Sequence, residues 1–197
     1  YLDVFETTLY DRARRPQKAY LSTSPEVALK KLLVSGIGNC FALTKSFRNM
    51  ETQSKLHNPE FTILEWYRVG VDYAAIMEDC EKLLSAIQQA INPGKNLVYQ
   101  GEKIDLTPPW ERLTVTSAFA KWAHINFNDF LQLATARKVA QAKGYQVKEN
   151  NTWEELYNQI FLNEIEPHLG RGRPTIIYEF PAAMAALSQK KKTDPRF

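Results

Sequence analysis

The segment Phe61-Thr62-Ile63-Leu64-Glu65-Trp66-Tyr67-Arg68 constrains the fold of this chain more than any other. Read with a period of two, it puts Phe61, Ile63, Glu65 and Tyr67 on one face and Thr62, Leu64, Trp66 and Arg68 on the other, as a strand does. From Asn39 to Arg48 the larger apolar side chains fall at Phe41, Leu43 and Phe47, which predicts a second, half-buried strand. A polar segment from Glu51 to Pro59 lies between them. The simplest connection is an antiparallel pair joined by that long loop.

The flanking sequence predicts further elements. The N-terminal segment reads as two strands around a loop: Phe5-Glu6-Thr7-Thr8-Leu9-Tyr10, then a polar turn closed by Pro16, then Ala19 to Thr23. Ser24, Pro25 and Glu26 stand in the order of an N-cap, a first-turn proline and an acid near the positive helix end. The helix that follows runs to about Val34, buries Leu29, Leu32 and Leu33, and stops at Gly36. Met77, Cys80, Leu83, Leu84, Ile87 and Ile91 mark a one-sided helix over 72–91. Beyond it the sequence predicts a hairpin from Leu97 to Leu106, a break at Pro108-Pro109, and helices at 116–123, 128–143 and 153–168. The last carries a capping box, Thr152 with Glu155. A short apolar strand over 175–180 sits between Pro174 and Pro181. The 197 residues suffice for one sizeable core, and one folded unit is expected.

Composition excludes some classes. No apolar run approaches the roughly 18 residues needed to span a bilayer. Tyr1 opens the chain without a charged-then-apolar leader, so nothing reads as a signal peptide. Cys40 and Cys80 lack metal-ligand spacing and read as buried unpaired thiols, which suits a cytoplasmic setting. A formal charge of +3 does not by itself argue for nucleic acid. The clusters Arg12 to Arg15 and Lys190 to Lys192 read as a solvated loop and tail.

The residues that could carry chemistry lie in Phe47-Arg48-Asn49-Met50-Glu51 and in His57-Asn58-Pro59-Glu60 with the strand that follows. An arginine ending one strand faces a loop that returns into a strand bearing Glu65 and Tyr67. A guanidinium fork matches phosphate oxygens, and carboxylate or amide groups accept from an exocyclic amine, so such a hairpin can hold a nucleotide. The same residues also fit a surface ion pair across a hairpin. His57 suits an orienting hydrogen bond, while His124 and His168, in helical contexts, suit structural roles.

The run His57-Asn58-Pro59-Glu60-Phe61-Thr62, followed by Leu64-Glu65-Trp66-Tyr67-Arg68, resembles motif 2 of class II aminoacyl-tRNA synthetases of the lysine, aspartate and asparagine group. Pro174-Thr175 and Phe180-Pro181-Ala182 also match, so the resemblance covers nearly the whole chain and is strongest from 20 to 75. Leu64-Glu65-Trp66-Tyr67-Arg68 and Thr23-Ser24-Pro25-Glu26 resemble more specifically the lysyl-tRNA-synthetase-like branch that lysylates elongation factor P. The resemblance implies an α+β, class II synthetase catalytic fold, an antiparallel sheet flanked by helices. It would be a partial one, lacking motifs 1 and 3. Motif 1 builds the homodimer interface, and the glutamate-rich strand that helps hold Mg2+ follows where this chain stops.

By the same resemblance Arg48 is the catalytic residue. It binds the α-phosphate of ATP while an amino acid carboxylate attacks to form an adenylate, a fixed cation beside a phosphorus that gathers charge. Asn49, Met50 and Glu51 complete the ATP-binding set. The more usual Arg-x-Glu spacing would put the adenine-reading acid at Met50 instead of Glu51, the loop before His57 is one residue longer, and Lys55 stands near the usual arginine. Ser24, Pro25, Glu26, Asn58, Glu65 and Tyr67 line the pocket for lysine or β-lysine, although Ser24 and Glu26 are also explained as helix cap and first-turn acid. The implied activity is ATP-dependent activation of lysine or β-lysine and transfer to a lysine of elongation factor P. Two alternatives remain: transfer to tRNA-Lys, and a non-catalytic paralogue, for which the shifted Glu51 and the longer loop speak.

Overall fold

The computed structural model describes residues 2–50, 57–185 and 187–197. The chain divides into two compact units, Tyr1–Ile76 and Met77–Phe197.

In the first unit, strands β1 (Glu6–Tyr10) and β2 (Pro16–Tyr20) form an antiparallel hairpin. At its turn Asp11 accepts from the backbone N–H of Ala13 and Arg15 and pairs with the Arg15 guanidinium at 2.7 Å, so the basic tip is partly paired as well as solvated. Helix α1 (Glu26–Val34) follows. It ends where Gly36, at φ 87°, turns the backbone left-handed and donates to Leu33 O at 3.0 Å. Of the three leucines expected inside, Leu29 is buried, Leu33 half-buried and Leu32 exposed. A nine-residue helix lying on a short hairpin hides only a narrow stripe.

Strands β3 (Cys40–Phe47) and β4 (Glu60–Tyr67) pair antiparallel through eight residues, from Cys40↔Tyr67 to Phe47↔Glu60. The alternation is as predicted, but its burial is reversed. Phe41 and Leu43 are 71% and 67% exposed. Ser24, just before α1, is hydrogen-bonded to Glu65, on the opposite face, where Cys40, Ala42, Thr44 and Ser46 stand across from Tyr67, Glu65, Ile63 and Phe61. On that face Ser46 is buried and Cys40, Ala42, Phe61, Ile63, Glu65 and Tyr67 are half-buried, while on the other Phe47, Leu64 and Trp66 are half-buried.

The second unit takes in most of helix α2 (Tyr73–Ile91), which starts in the first. Its buried Glu81 accepts from the Trp110 backbone N–H at 3.1 Å and pairs with Arg112 at 3.4 Å, which explains a carboxylate in the interior. Strands β5 (Leu97–Tyr99) and β6 (Glu102–Ile104) form the expected hairpin. A short strand β7 (Glu111–Thr114), too brief to show in the sequence, pairs in parallel with β8 (Thr175–Tyr178). Strand β8 stops two residues early because Glu179 is left-handed at φ 56°. Among the described residues the strands pair only two by two, three pairs antiparallel and one parallel, so one continuous antiparallel sheet is not seen within them.

The helices of this unit are more broken than predicted. Helix α3 (Val115–Ala118) continues as a π-turn over Phe119–Ala123. The helix expected over 128–143 becomes a 3-10 turn, Phe127–Phe130, capped by Asn126, and then α4 (Leu133–Ala142). Gln132, in extended geometry, separates the two. Helix α5 (Trp153–Ile160) has the predicted capping box, with Glu155 N–H donating to Thr152 Oγ at 3.2 Å and Thr152 N–H to Glu155 at 3.0 Å. It passes into a π-turn and a 3-10 turn through His168, whose ring stacks on Trp122 at 5.6 Å. Phe119 is fully buried among Phe127, Phe130, Tyr157 and Phe161, with ring centroids 4.9–6.5 Å away. Lys191, in the basic tail, pairs with Glu179. Both cysteines are free but half-buried, not buried. No helix among the described residues is long and apolar enough to cross a membrane.

Phe119→Ala should cost about 3–5 kcal/mol through lost burial and the cavity left behind, against a typical total of about 5–15 kcal/mol. Denaturant unfolding midpoints of the two proteins check this. The Tyr145 hydroxyl donates to Glu164 at 2.8 Å, and burial first, then Glu164, pushes it up to about 12. Its neutral form is thus favoured by folding. The contribution is present below the ordinary tyrosine value of about 10 and is lost as pH rises through 12. Thermal melts between pH 9 and 12 should show a smaller alkaline loss for Tyr145→Phe than for the unaltered chain.

Candidate functional site

The β3–β4 ladder decides which side chains can meet. Directly paired residues share a face, so Glu65 and Tyr67 project over Ala42 and Cys40, whose small side chains leave that face open. The segment before α1 approaches the same face. The Ser24 hydroxyl donates to Glu65 Oε1 at 2.5 Å while its oxygen accepts from the Glu26 backbone N–H at 2.9 Å. The helix boundary falls one residue later than predicted. Buried Pro25, with φ −74° and ψ −3°, flanks α1, and its carbonyl accepts from Leu29 N–H at 2.9 Å. Ser24 therefore stands just outside the helix, yet still satisfies one of its first amides.

Glu26 and Tyr67 complete the cluster. Burial raises the Tyr67 hydroxyl above its ordinary value, and the nearby Glu26 and Glu65 carboxylates raise it further, against an opposite pull from Lys30. Lys30 itself pairs with Glu26 at 2.5 Å, and that hydrogen bond raises its ammonium. Ser24, Glu26, Glu65 and Tyr67 are thus one interacting group.

Arg48 follows the last residue of β3. Its backbone N–H donates to Pro59 O at 2.9 Å, which ties the two ends of the loop together. The side chain lies over the Phe61 ring, 5.0 Å from its centroid, and Nε donates to Thr23 O at 3.4 Å. Phe61 shares the Glu65 face, so the guanidinium is held on the same side of the hairpin. Beyond it Asn49 donates its N–H to Asp3 O at 2.9 Å and accepts from Met50 N–H at 2.9 Å, and Met50 is left-handed at φ 63°. Met50 is exposed, as are His57 and Asn58. Glu51 and Lys55 lie outside the described residues. The structure thus brings Ser24, Pro25, Glu26, Arg48, Glu65 and Tyr67 to one side of the hairpin, with Asn49, Met50 and Asn58 at its loop end.

Three participants were not singled out from the sequence. The Lys30 partnership could have been read from its i,i+4 spacing to Glu26. Phe61 was placed on the correct face without a role. The Thr23 carbonyl has no signal in residue type. Among the described residues no group of three or more His, Cys, Asp and Glu side chains is arranged to hold a metal, so they offer no Mg2+ cage.

Comparison with known proteins decides the family. The profile of tRNA synthetases class II (D, K and N) matches residues 5–196. The chain belongs to this family. Among similar proteins, a lysine–tRNA ligase of Moorella thermoacetica is 34% identical over 178 residues, covering 90% of this chain and 36% of that protein. The lysine–tRNA ligase of a Thermoanaerobacter species is 35% identical over 178 residues, covering 90% and 35%. One from Chloroflexus aurantiacus is 33% identical over 181 residues, covering 92% and 36%. This class II synthetase chain spans about a third of the length of those relatives. A special closeness to the branch that lysylates elongation factor P is not among these findings.

Ser24→Ala removes both the donor to Glu65 and the acceptor of the Glu26 amide. Loss of such a helix-start contact costs about 0.5–2 kcal/mol. Amide hydrogen exchange should quicken at Glu26 and the first turn of α1, with β5 and β6 unchanged.

Proposed function

We propose that the protein containing this chain activates lysine with ATP as an enzyme-bound adenylate and passes it to tRNA-Lys. The supporting observation is the convergence of Glu26, Glu65 and Tyr67 with Arg48 on one side of the β3–β4 hairpin. Carboxylates there suit ammonium groups, and the apolar parts of Tyr67 and Ile63 suit methylenes. Ser24 orients Glu65, and Asn58 reaches the substrate from the loop end. Arg48, with Asn49, Met50 and Glu51 on the nucleotide, faces the α-phosphate. A lysine carboxylate oxygen bonds to the α-phosphorus as the bond to pyrophosphate breaks. The step needs no protein base, and Arg48 stabilises the charge on the phosphoryl oxygens. Mg2+ supplies further charge neutralisation when bound.

The family match crosses both compact units, which supports reading them as parts of one partial catalytic domain. In this reading β3 and β4 belong to an antiparallel sheet flanked by helices, in a homodimer. Relatives named lysine–tRNA ligase favour tRNA as acceptor. Elongation factor P as acceptor, with lysine or β-lysine, has only Ser24 and Trp66 behind it.

Pyrophosphate exchange by the intact protein with lysine and with β-lysine, followed by acylation of tRNA-Lys and of elongation factor P, tests the proposal. Lysine-dependent exchange and tRNA acylation are expected. Absence of exchange with either amino acid would overturn it. Arg48→Ala should lower exchange by about 100-fold or more, the scale of losing one preorganised charge-stabilising group, with unchanged circular dichroism and melting. Retained exchange would show that Arg48 does not stabilise the reacting phosphate.

A further inference from the structure

The candidate amino acid face contains an ammonium group of its own. Lys30 lies one helical turn after Glu26, and its Nζ is 2.5 Å from Glu26 Oε1. On the same face Glu65 is already hydrogen-bonded to Ser24, and Tyr67 lies within electrostatic reach of Glu26, Glu65 and Lys30. The Lys30 and Glu26 side chains are 42% and 39% exposed, so a solute reaches the pair. An i,i+4 ion pair at that exposure is weak and screened by water, and its four-carbon stem swings away at little cost.

We propose that Lys30 is a displaceable internal ammonium, seated on Glu26, that sets how tightly this face takes the ammonium group of an amino acid. The inference rests on the lysine-activation reading above and adds a positioning residue to it. A substrate ammonium that uses Glu26 meets a like charge on the same carboxylate, so the two compete. An uncharged group gains no carboxylate contact by displacing Lys30. The preference for cationic over neutral ligands comes from Glu26, and the pair with Lys30 lowers the affinity with which that preference is expressed. A purely structural helix pair would leave lysine affinity unchanged when broken.

The test is calorimetric titration of lysine into the intact protein, unaltered and as Lys30→Met and Lys30→Arg. Lys30→Met keeps the length and removes the charge. It should tighten lysine binding by about three- to tenfold, on the scale of a partly exposed charge contact. Lys30→Arg should return affinity to near the unaltered level. In pyrophosphate exchange the change should fall on KM for lysine, with kcat held. A second measurement avoids the variants. With 13C-lysine-labelled protein and unlabelled free lysine, the Lys30 Cε–Hε signal should move towards the position of a solvated lysine at saturation. Unchanged or weaker binding by folded Lys30→Met, or a Lys30 signal that stays still while lysine binds, would overturn the inference and leave lysine activation standing. No lysine binding by the unaltered protein would overturn both.

Discussion

The site depends on the register of one ladder. Eight residue pairs between β3 and β4 fix which side chains share a face, and a slip of one residue would turn Glu65 and Tyr67 away from the segment that carries Ser24 and Glu26. The ends of the ladder are held separately. Phe47 donates to Ser22 O at 2.8 Å and Arg48 to Pro59 O at 2.9 Å, so the hairpin is tied both to itself and to the chain entering α1. Across from the acids, β3 contributes Cys40, Ala42, Thr44 and Ser46. Larger residues there would fill the space over which Tyr67 and Glu65 stand.

Ser24 couples that ladder to the helix. Its one hydroxyl donates to a strand carboxylate and accepts from a helix amide. The position of Glu26 follows from where Ser24 is held, and the position of Ser24 follows from Glu65. Local structure and candidate chemistry thus use the same atoms, so the helix-cap explanation of Ser24 and Glu26 does not compete with the functional one.

Much of this was legible in the sequence. The two-residue period of Phe61 to Tyr67 located the strand and which of its residues share a face, and Thr152 with Glu155 located the start of α5. The reversed burial of Phe41 and Leu43 was not legible, because alternation tells that two faces differ and not which one a helix covers. The π-turn after Ala118 and the break at Gln132 were also hidden. A π-turn and an α-helix place apolar residues at similar spacings, and the packing of Phe119, Phe127 and Phe130 overrides local propensity. Strand β7 was missed because Glu-Arg-Leu-Thr is too short to show a period. In the candidate site, Arg48, Glu65 and Tyr67 are named by resemblance, whereas the Phe61 ring beneath Arg48 is visible only through geometry.

The connection between β3 and β4 spans residues 48–59, and the ladder pairs it closes are separated along the chain by 13 residues at Phe47↔Glu60 and 27 at Cys40↔Tyr67. Closing a loop costs chain entropy that grows only as the logarithm of its length. Going from eleven to twelve residues adds below about 0.1 kcal/mol. One residue more or less in such a connection is therefore nearly free thermodynamically. The register that places Glu65 and Tyr67 rests on the eight paired positions of the ladder, so it does not depend on a particular loop length.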